Sequence, residues 1–495
     1  MQDLEAVAAT AYPSITCGDV ARSVADCFER SGRLAGALRE RGLSLGTTVG
    51  VLAYNSIEFL EISLAIGAAG GNPVPINWHW TPAEVAYLLS DSGVRILFCD
   101  TALLSTARSA VTTLDYEIEI IEIARPGDGT GVTHEDLIAG AGEALGHREG
   151  ALAASLGLIY TSGTTGRPKG VLRELMSAEQ LLSVAGATAA RMGLRDNGRM
   201  MIAGPLYHTS PNAMALLALR MGSNVTIMPR WDAEEFLRLV ERDRIEQVKV
   251  VPTMLSRLLS LPDEVRNRYD VSSMTHLIHS AAPCPPAIKR AIIDWFGDAV
   301  LEFYGCTEAG TVTWISAAEW EARPGSVGRP ADGSSVRIVD NAGRVVPPGV
   351  DGHVQVIAPD YWPTFTYLHH IAVTAFPLDV GDLGHVDDDG YLFLTGRSSE
   401  VIISGGVNIY PAEIEAAAME LPYVEDAAAV GRPHEGDLGE QVALYVVARP
   451  GMAVHPLELL DALSDRLAPY KLPRVIEVLD QLPRDENGKV YKSRL

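Results

Sequence analysis

From residue 49 onward the chain alternates short apolar runs with longer stretches of helical periodicity, and this rhythm limits its fold more than any other feature. Val49–Tyr54 reads as a strand, Ser56–Ala69 as a helix and Asn72–Ile76 as a strand. Thr81-Pro-Ala-Glu84 then opens a helix as a capping box with proline at its first position, and Val94–Cys99 returns to strand. Val20–Gly42, ahead of them, has the apolar spacing of an amphipathic helix. Strands joined through helices become neighbours by crossover, so an α/β fold with mainly parallel sheets follows. The rhythm resumes from Leu156 to about Tyr304. After Pro324 the texture changes: Gly325–Ala358 is dense in glycine, proline and short β-branched runs, which predicts the hairpins of a small β subdomain. Val401–Ser404 is strand-like and Pro411-Ala-Glu-Ile-Glu starts a helix. The boundary falls at Gly396–Glu400, dividing a large N-terminal domain, 1–396, from a small α+β domain, 401–495.

Composition narrows the function classes. The 495 residues are 47% hydrophobic and 21% charged, as in a globular chain. Forty Lys+Arg against 63 Asp+Glu give a net charge of −23, which argues against nucleic acid or an anionic membrane as the main partner. Cysteines 17, 27, 99, 284 and 306 are odd in number and lack Cys-x-x-Cys spacing, so neither a disulfide framework nor a cysteine zinc site is expected. A reducing, cytoplasmic setting fits. The N-terminus has no signal-peptide pattern, and no apolar run reaches the length of about 18 residues that a membrane span needs. The final Ser-Arg-Leu is one substitution from a peroxisomal address and reads as chance. Only six basic residues are lysines: 169, 249, 289, 471, 489 and 492.

The segment richest in chemistry is Tyr160-Thr-Ser-Gly-Thr-Thr-Gly-Arg-Pro-Lys-Gly170, fed by the strand-like Leu156–Tyr160. Its glycines allow close backbone approach, and its hydroxyls and amides can cradle phosphate oxygens. It is not a Walker A loop, because Arg167-Pro168 separates Gly166 from Lys169. A plain Ser/Thr/Gly linker is the alternative, disfavoured by the clustering of Arg167 and one of so few lysines. There is no Ser-x-x-Lys motif, and the Gly-x-Ser-x-Gly match at Gly42-Leu-Ser44-Leu-Gly46 runs from a helix-like segment into a strand-like one, the reverse of a nucleophile elbow, which argues against the common serine hydrolases.

This segment resembles the phosphate-binding loop of adenylate-forming enzymes, the superfamily of acyl-CoA synthetases, peptide-synthetase adenylation domains and luciferases. Further blocks resemble the family in order: Pro205-Leu-Tyr-His208, Ser280-Ala281-Ala282-Pro283, Tyr304-Gly-Cys-Thr307-Glu308, Gly381-Asp382-Leu-Gly384, Gly396-Arg397, Ser404-Gly405-Gly406-Val-Asn-Ile-Tyr-Pro411 and Pro483-Arg-Asp-Glu-Asn-Gly-Lys489. The resemblance implies an ATP-, Mg²⁺- and coenzyme A-dependent acid:CoA ligase that passes through acyl-AMP. It implies that Thr161, Ser162, Gly163, Thr164, Thr165 and Lys169 hold the departing phosphates, that Ala281, Ala282 and Pro283 border the adenine, and that Tyr304 belongs to the cofactor-binding set. Asp382 and Arg397 would then take the ribose, with Thr307 and Glu308 at the reaction centre and Glu308 on Mg²⁺. His208 would border the acyl pocket, and Lys489 would bridge carboxylate and α-phosphate. Gly405 and Gly406 would leave room for a pantetheine arm, on a C-terminal domain that the resemblance implies rotates about a hinge at 397–400. Glu308 as a salt-bridge partner, Asp382 as a strand end and His208 as a pocket wall are the structural alternatives. His276, His279, His369 and His370 show no metal-ligand pattern and read as structural; Lys249 and Lys289 read as solvated.

Three departures stand out. The hinge position, commonly Asp or Lys in the family, is Ser399. The lead-in Phe376-Pro-Leu-Asp-Val-Gly-Asp382 lacks the usual threonine, and Val171-Leu-Arg-Glu-Leu-Met replaces the usual Ser-His after the loop. These motivate an alternative in which the acyl group goes to a carrier protein or a second thiolating enzyme; a noncatalytic ligand-binding homologue is the rival from another class. Residues 466–495 hold seven Lys/Arg against four acids, either a basic patch for CoA or a solvated surface. The segments implied to wall the acyl pocket, Tyr207–Leu217, Val250–Leu255 and Ala309–Thr311, have no Arg or Lys at their centres. A bulky apolar acid (fatty, aromatic, or polycyclic terpenoid or sterol-type) is therefore expected over a dicarboxylate or amino acid. Expected partners are the acid, ATP and CoA, and a homodimer is the assembly weighed.

Overall fold

The computed structural model describes residues 13–124, 129–142, 144–145, 157–161, 169–331, 333–369, 376–404, 407–434, 439–484 and 490–495. They divide into two units. One takes the described residues up to Lys249, with Leu261–Ile278 and those from Asp360; the other takes Val250–Ser260, His279–Pro359 and those from Phe376 onward.

In the first unit the predicted alternation is present. Four parallel strands lie in the order Asn72–Pro75, Thr48–Leu52, Ile96–Asp100, Glu119–Ile123. A second run of parallel strands places Gln247–Val250 beside Arg199–Ile202, then Asn224–Ile227 and Ser14–Cys17. The helix Ile57–Ala69 buries 12 of its 13 residues, as expected of a helix that is apolar all round. Its Glu61, fully buried, is held by Arg22 at 2.6 Å and Arg30 at 3.1 Å, the pairing a buried carboxylate requires. The capping box forms as predicted, with the Thr81 and Glu84 side chains each accepting from the other's backbone N–H.

One element differs from expectation. Val20–Ser23 is a strand, antiparallel to Ser14–Cys17, and the helix runs only over Val24–Glu40. Ser23 ends the strand because its hydroxyl caps the helix, accepting from Asp26 N at 3.0 Å. The apolar spacing ran through both elements and concealed that stop.

In the second unit an antiparallel sheet is ordered Ser335–Val339, Gly352–Ile357, Leu378–Val386, Leu392–Arg397, Ser326–Pro330, Gly310–Ser316, Val300–Cys306. The predicted hairpins after Pro324 belong to it. A 3₁₀ turn, Ser398–Glu400, leads to the C-terminal strands. There Val424–Pro433, Glu440–Ala448 and Val475–Leu479 form a mixed sheet with helices Pro411–Met419 and Pro456–Ser464. This piece has its own core, including Ile402, Ile414, Val424, Leu444 and Leu459. The fold is thus large mixed α/β with a β subdomain, plus a smaller C-terminal α+β domain. No described helix is long and apolar enough to cross a membrane.

Candidate active site

In the second unit the sheet itself assembles the first cluster. Asp382 and Arg397 are cross-strand partners in adjacent antiparallel strands, which puts their side chains on one face. Arg397 Nε lies 3.0 Å from Asp382 Oδ1, and Tyr304 Oη donates to Asp382 Oδ2 at 2.6 Å. Burial raises the Asp382 carboxyl above its ordinary range, against the opposing pull of Arg397 and the Tyr304 hydroxyl. Burial and that carboxylate push the Tyr304 phenol well up. Thr307 and Glu308 lie in the turn between Val300–Cys306 and Gly310–Ser316. The turn needs Gly305: a Cβ there would meet Gly310 O at 2.0 Å, at a register shift in the strand pair. Ala281, in the Ser280–Pro283 turn, has φ +79°, rare for a residue with a side chain.

Behind that turn the expectation of a solvated lysine is overturned. Lys289 is 1% exposed and ion-paired with Glu302, its ammonium 5.1 Å from the centre of the Trp320 ring. His279, fully buried, stands 3.8 Å from the same carboxylate. Burial and the Lys289 charge hold its ring well below the ordinary histidine range, in keeping with a structural role. The clue was periodicity: Lys289, Ile292 and Ile293 share the buried face of Pro286–Phe296.

In the first unit Ile159–Thr161 and Lys169–Arg173 pair antiparallel with Thr161 opposite Lys169. Lys169 Nζ lies 5.7 Å from the centre of the Tyr367 ring. Ser162, Gly163, Thr164 and Thr165 lie outside the described residues, as do Gly405, Gly406, Lys489 and His370. His208 is the N-cap residue of Thr209–Arg220, its ring 4.3 Å from Tyr207, centre to centre. Burial, assisted by the charge of Lys249, lowers it to about 3, so it is neutral in ordinary buffers. Lys249 is a partial correction: it is only partly exposed, and burial pulls its ammonium down to about 8.

The sequence reading missed Asn55. Its amide donates to Gly204 O and Met228 O, both at 3.0 Å, and accepts from Leu206 N at 2.8 Å. It thereby fixes the turn that delivers His208. A polar residue between a buried strand and a buried helix was the available signal. The basic tail is also changed. Lys471 pairs with Glu413 at 2.5 Å, Arg484 with Asp426 at 2.5 Å, and Lys492 with Glu400 and Glu415, each at 2.8 Å. Acids of residues 400–426 meet these cations locally, which weakens the reading of a basic patch open to CoA.

Two family descriptions match the sequence: AMP-binding enzyme over residues 5–361 and AMP-binding enzyme C-terminal domain over 413–489. Indoleacetate–CoA ligase of Aromatoleum aromaticum is 32% identical, covering 93% of this chain and 90% of its own. Feruloyl-CoA synthase of an Amycolatopsis species is 31% identical, covering 97% and 94%. Among solved structures, o-succinylbenzoate CoA synthetase from Bacillus subtilis, in complex with its acyl-adenylate intermediate, matches with a TM-score of 0.83. It is 27% identical, with 99% of this chain and 96% of that one covered.

Proposed function

The chain belongs to the AMP-binding enzyme family, in the AMP-forming acyl-CoA synthetase class of adenylate-forming ligases, and on that premise we propose that it joins a roomy, largely apolar carboxylic acid to coenzyme A in two steps. In the first, a carboxylate oxygen attacks the α-phosphorus of ATP, giving acyl-AMP and pyrophosphate. In the second, the CoA thiol attacks the acyl carbon, AMP leaves, and the thiol proton goes to solvent.

The observation that carries the reading is the Tyr304–Asp382–Arg397 cluster. A carboxylate offers about four lone-pair sites, and Tyr304 and Arg397 occupy one on each oxygen. The remaining lone pairs can accept both ribose hydroxyls, while the Arg397 fork has further donors for the same sugar. Carboxylate and triphosphate repel, so positioning and donors must offset developing charge. Thr161, Ser162, Thr164, Thr165 and Lys169 would hold the leaving phosphates, and Lys489 would bridge carboxylate and α-phosphate. Magnesium takes one or two carboxylates along with phosphate and water. Glu308, a partly exposed carboxylate in its turn, fits that donor set, and among the described residues no cluster of three His, Cys, Asp or Glu forms a protein cage. The ion supplies positive charge to the phosphates when bound. Gly405 and Gly406 would admit pantetheine after the C-terminal domain turns about residues 397–400.

The indoleacetate and ferulate named for the relatives support an apolar acid. The test is incubation with an acid panel and ATP, with and without CoA, detecting acyl-AMP and acyl-CoA separately by mass spectrometry. Acyl-CoA is expected. Acyl-AMP that accumulates despite CoA would instead favour transfer to a carrier protein or second enzyme, the reading that Ser399 motivates. No adenylate from any acid would leave a binding homologue.

A further inference from the structure

The turn entering Thr209–Arg220 holds more polar chemistry than an apolar acid can use. Asn212 is 5% exposed, and its Oδ1 is buried with no hydrogen-bond partner among the described residues. His208 Nε2 is buried in the same condition. The two residues are four apart, and Asn212 N donates to His208 O at 3.2 Å, so their side chains lie on one face of the first helical turn. Lys249 reaches this place from the neighbouring strand. It pairs with Ile202, the last residue of Arg199–Ile202, and the chain from that strand leads through the Asn55-fastened turn to His208. His208 and Lys249 therefore both lie toward the carboxyl ends of adjacent parallel strands, where α/β sheets place ligands, with Asn212 one helical turn beyond His208. Lys249 is close enough for its charge to act on the His208 ring.

We propose that Lys249, with His208 and Asn212, forms a polar subsite for a second oxygen function on the acid, additional to its reacting carboxylate. This rests on the ligase reading and sharpens its substrate class to an apolar skeleton carrying an oxygen acceptor: a ketone, a phenol or a second carboxylate. A hydrocarbon seated there takes water from these groups and returns no hydrogen bond, whereas an oxygen accepts from the Lys249 ammonium and from an Nε2 that carries the ring proton, and a hydroxyl can in addition donate to Asn212 Oδ1. A site built to bond an oxygen rejects an analogue that lacks it more strongly than an apolar wall rejects an added oxygen. The expectation of a purely apolar wall is corrected accordingly, since Lys249 immediately precedes Val250.

The experiment compares matched acids in the adenylation assay: cyclohexylpropanoate with its 4-oxo derivative, cinnamate with 4-hydroxycinnamate, and octanoate with octanedioate. For the wild-type protein, kcat/KM should favour the oxygenated member of at least one pair by about tenfold or more, and the preferred pair tells ketone, phenol and carboxylate apart. Lys249→Met should remove at least about tenfold of that preference, and Lys249→Arg should restore part of it. Preference for the parent acid in every pair, or an equal loss for both members in Lys249→Met, would overturn the subsite while leaving the ligase reading intact. If Lys249→Met fails to fold, as judged by circular dichroism, the wild-type preferences decide alone. Acyl-AMP absent with all six acids overturns the ligase reading and the subsite together.

Discussion

Lys289 shows how much one buried charge depends on its partner. It is 1% exposed and Glu302 6% exposed, so neither keeps its water. Removing one member of such a pair leaves an uncompensated charge and costs about 3–5 kcal/mol, whereas replacing both with apolar groups is often near neutral. Lys289→Met should therefore destabilise the protein by about that amount in urea unfolding, and Lys289→Met with Glu302→Leu should recover most of it. His208 gives a pH prediction of opposite character. Its folded-state value, about 3, lies below the ordinary histidine value of 6.5. The unfolded chain therefore takes up this proton first as pH falls, and stability from the neutral buried ring is present above pH 6.5 and lost progressively toward 3. His208→Gln should flatten that part of the stability–pH curve. An unchanged slope between pH 6.5 and 4.5 would show that the ring is not held neutral.

At the scale of elements, the turn before Thr209–Arg220 is held by a side chain from elsewhere in the sequence. Asn55 makes three bonds to the backbone of residues 204, 206 and 228, so Asn55→Ala leaves two carbonyls and an amide to find new partners. Each orphaned bond costs about 1–3 kcal/mol when buried. The expected outcome is a drop in kcat/KM of at least about tenfold with loss of substrate discrimination, not rescued by Asn55→Asp, whose carboxylate can accept from Leu206 N but cannot donate to the two carbonyls. If Asn55→Ala lowers Tm but leaves the acid preference unchanged, Asn55 only stabilises the fold. Elements were legible wherever local chemistry and pattern agreed, as at Thr81–Glu84, where cap, proline and apolar spacing mark the same start. They were obscured where one pattern spanned two elements, as at Val20–Ser23. The cross-strand pairing of Asp382 with Arg397, the partial burial of Lys249 and the full burial of Lys289 depend on contacts distant in sequence. For Lys289 alone, helical periodicity pointed to the buried face.

Across the whole chain, net charge proved a poor guide to ligands, because the proposed partners are anions despite the −23. Local arrangement decides, and it also bears on the proposed hinge. Ser399 carries no charge, but Glu400, next to it, is held with Glu415 by Lys492, each contact at 2.8 Å. Glu415 lies in the helix Pro411–Met419, so the lysine fastens the end of the Ser398–Glu400 turn to the C-terminal core. Any pivot is thereby confined to the residues ahead of Glu400, and a pair shared by two carboxylates resists salt better than an exposed single pair. Lys492→Met should free the turn and widen the orientations open to the C-terminal domain. On the proposed rotation, adenylation and thiolation would each use one orientation, so their ratio should move by about threefold or more. Pyrophosphate exchange measures the first step, and single-turnover transfer from supplied acyl-AMP to CoA measures the second. Glu400→Gln should shift the ratio in the same direction, and Glu415→Gln less, since Glu415 lies beyond the turn. Equal slowing of both steps by Lys492→Met would mean that the lysine supports the C-terminal core and has no part in setting the pivot.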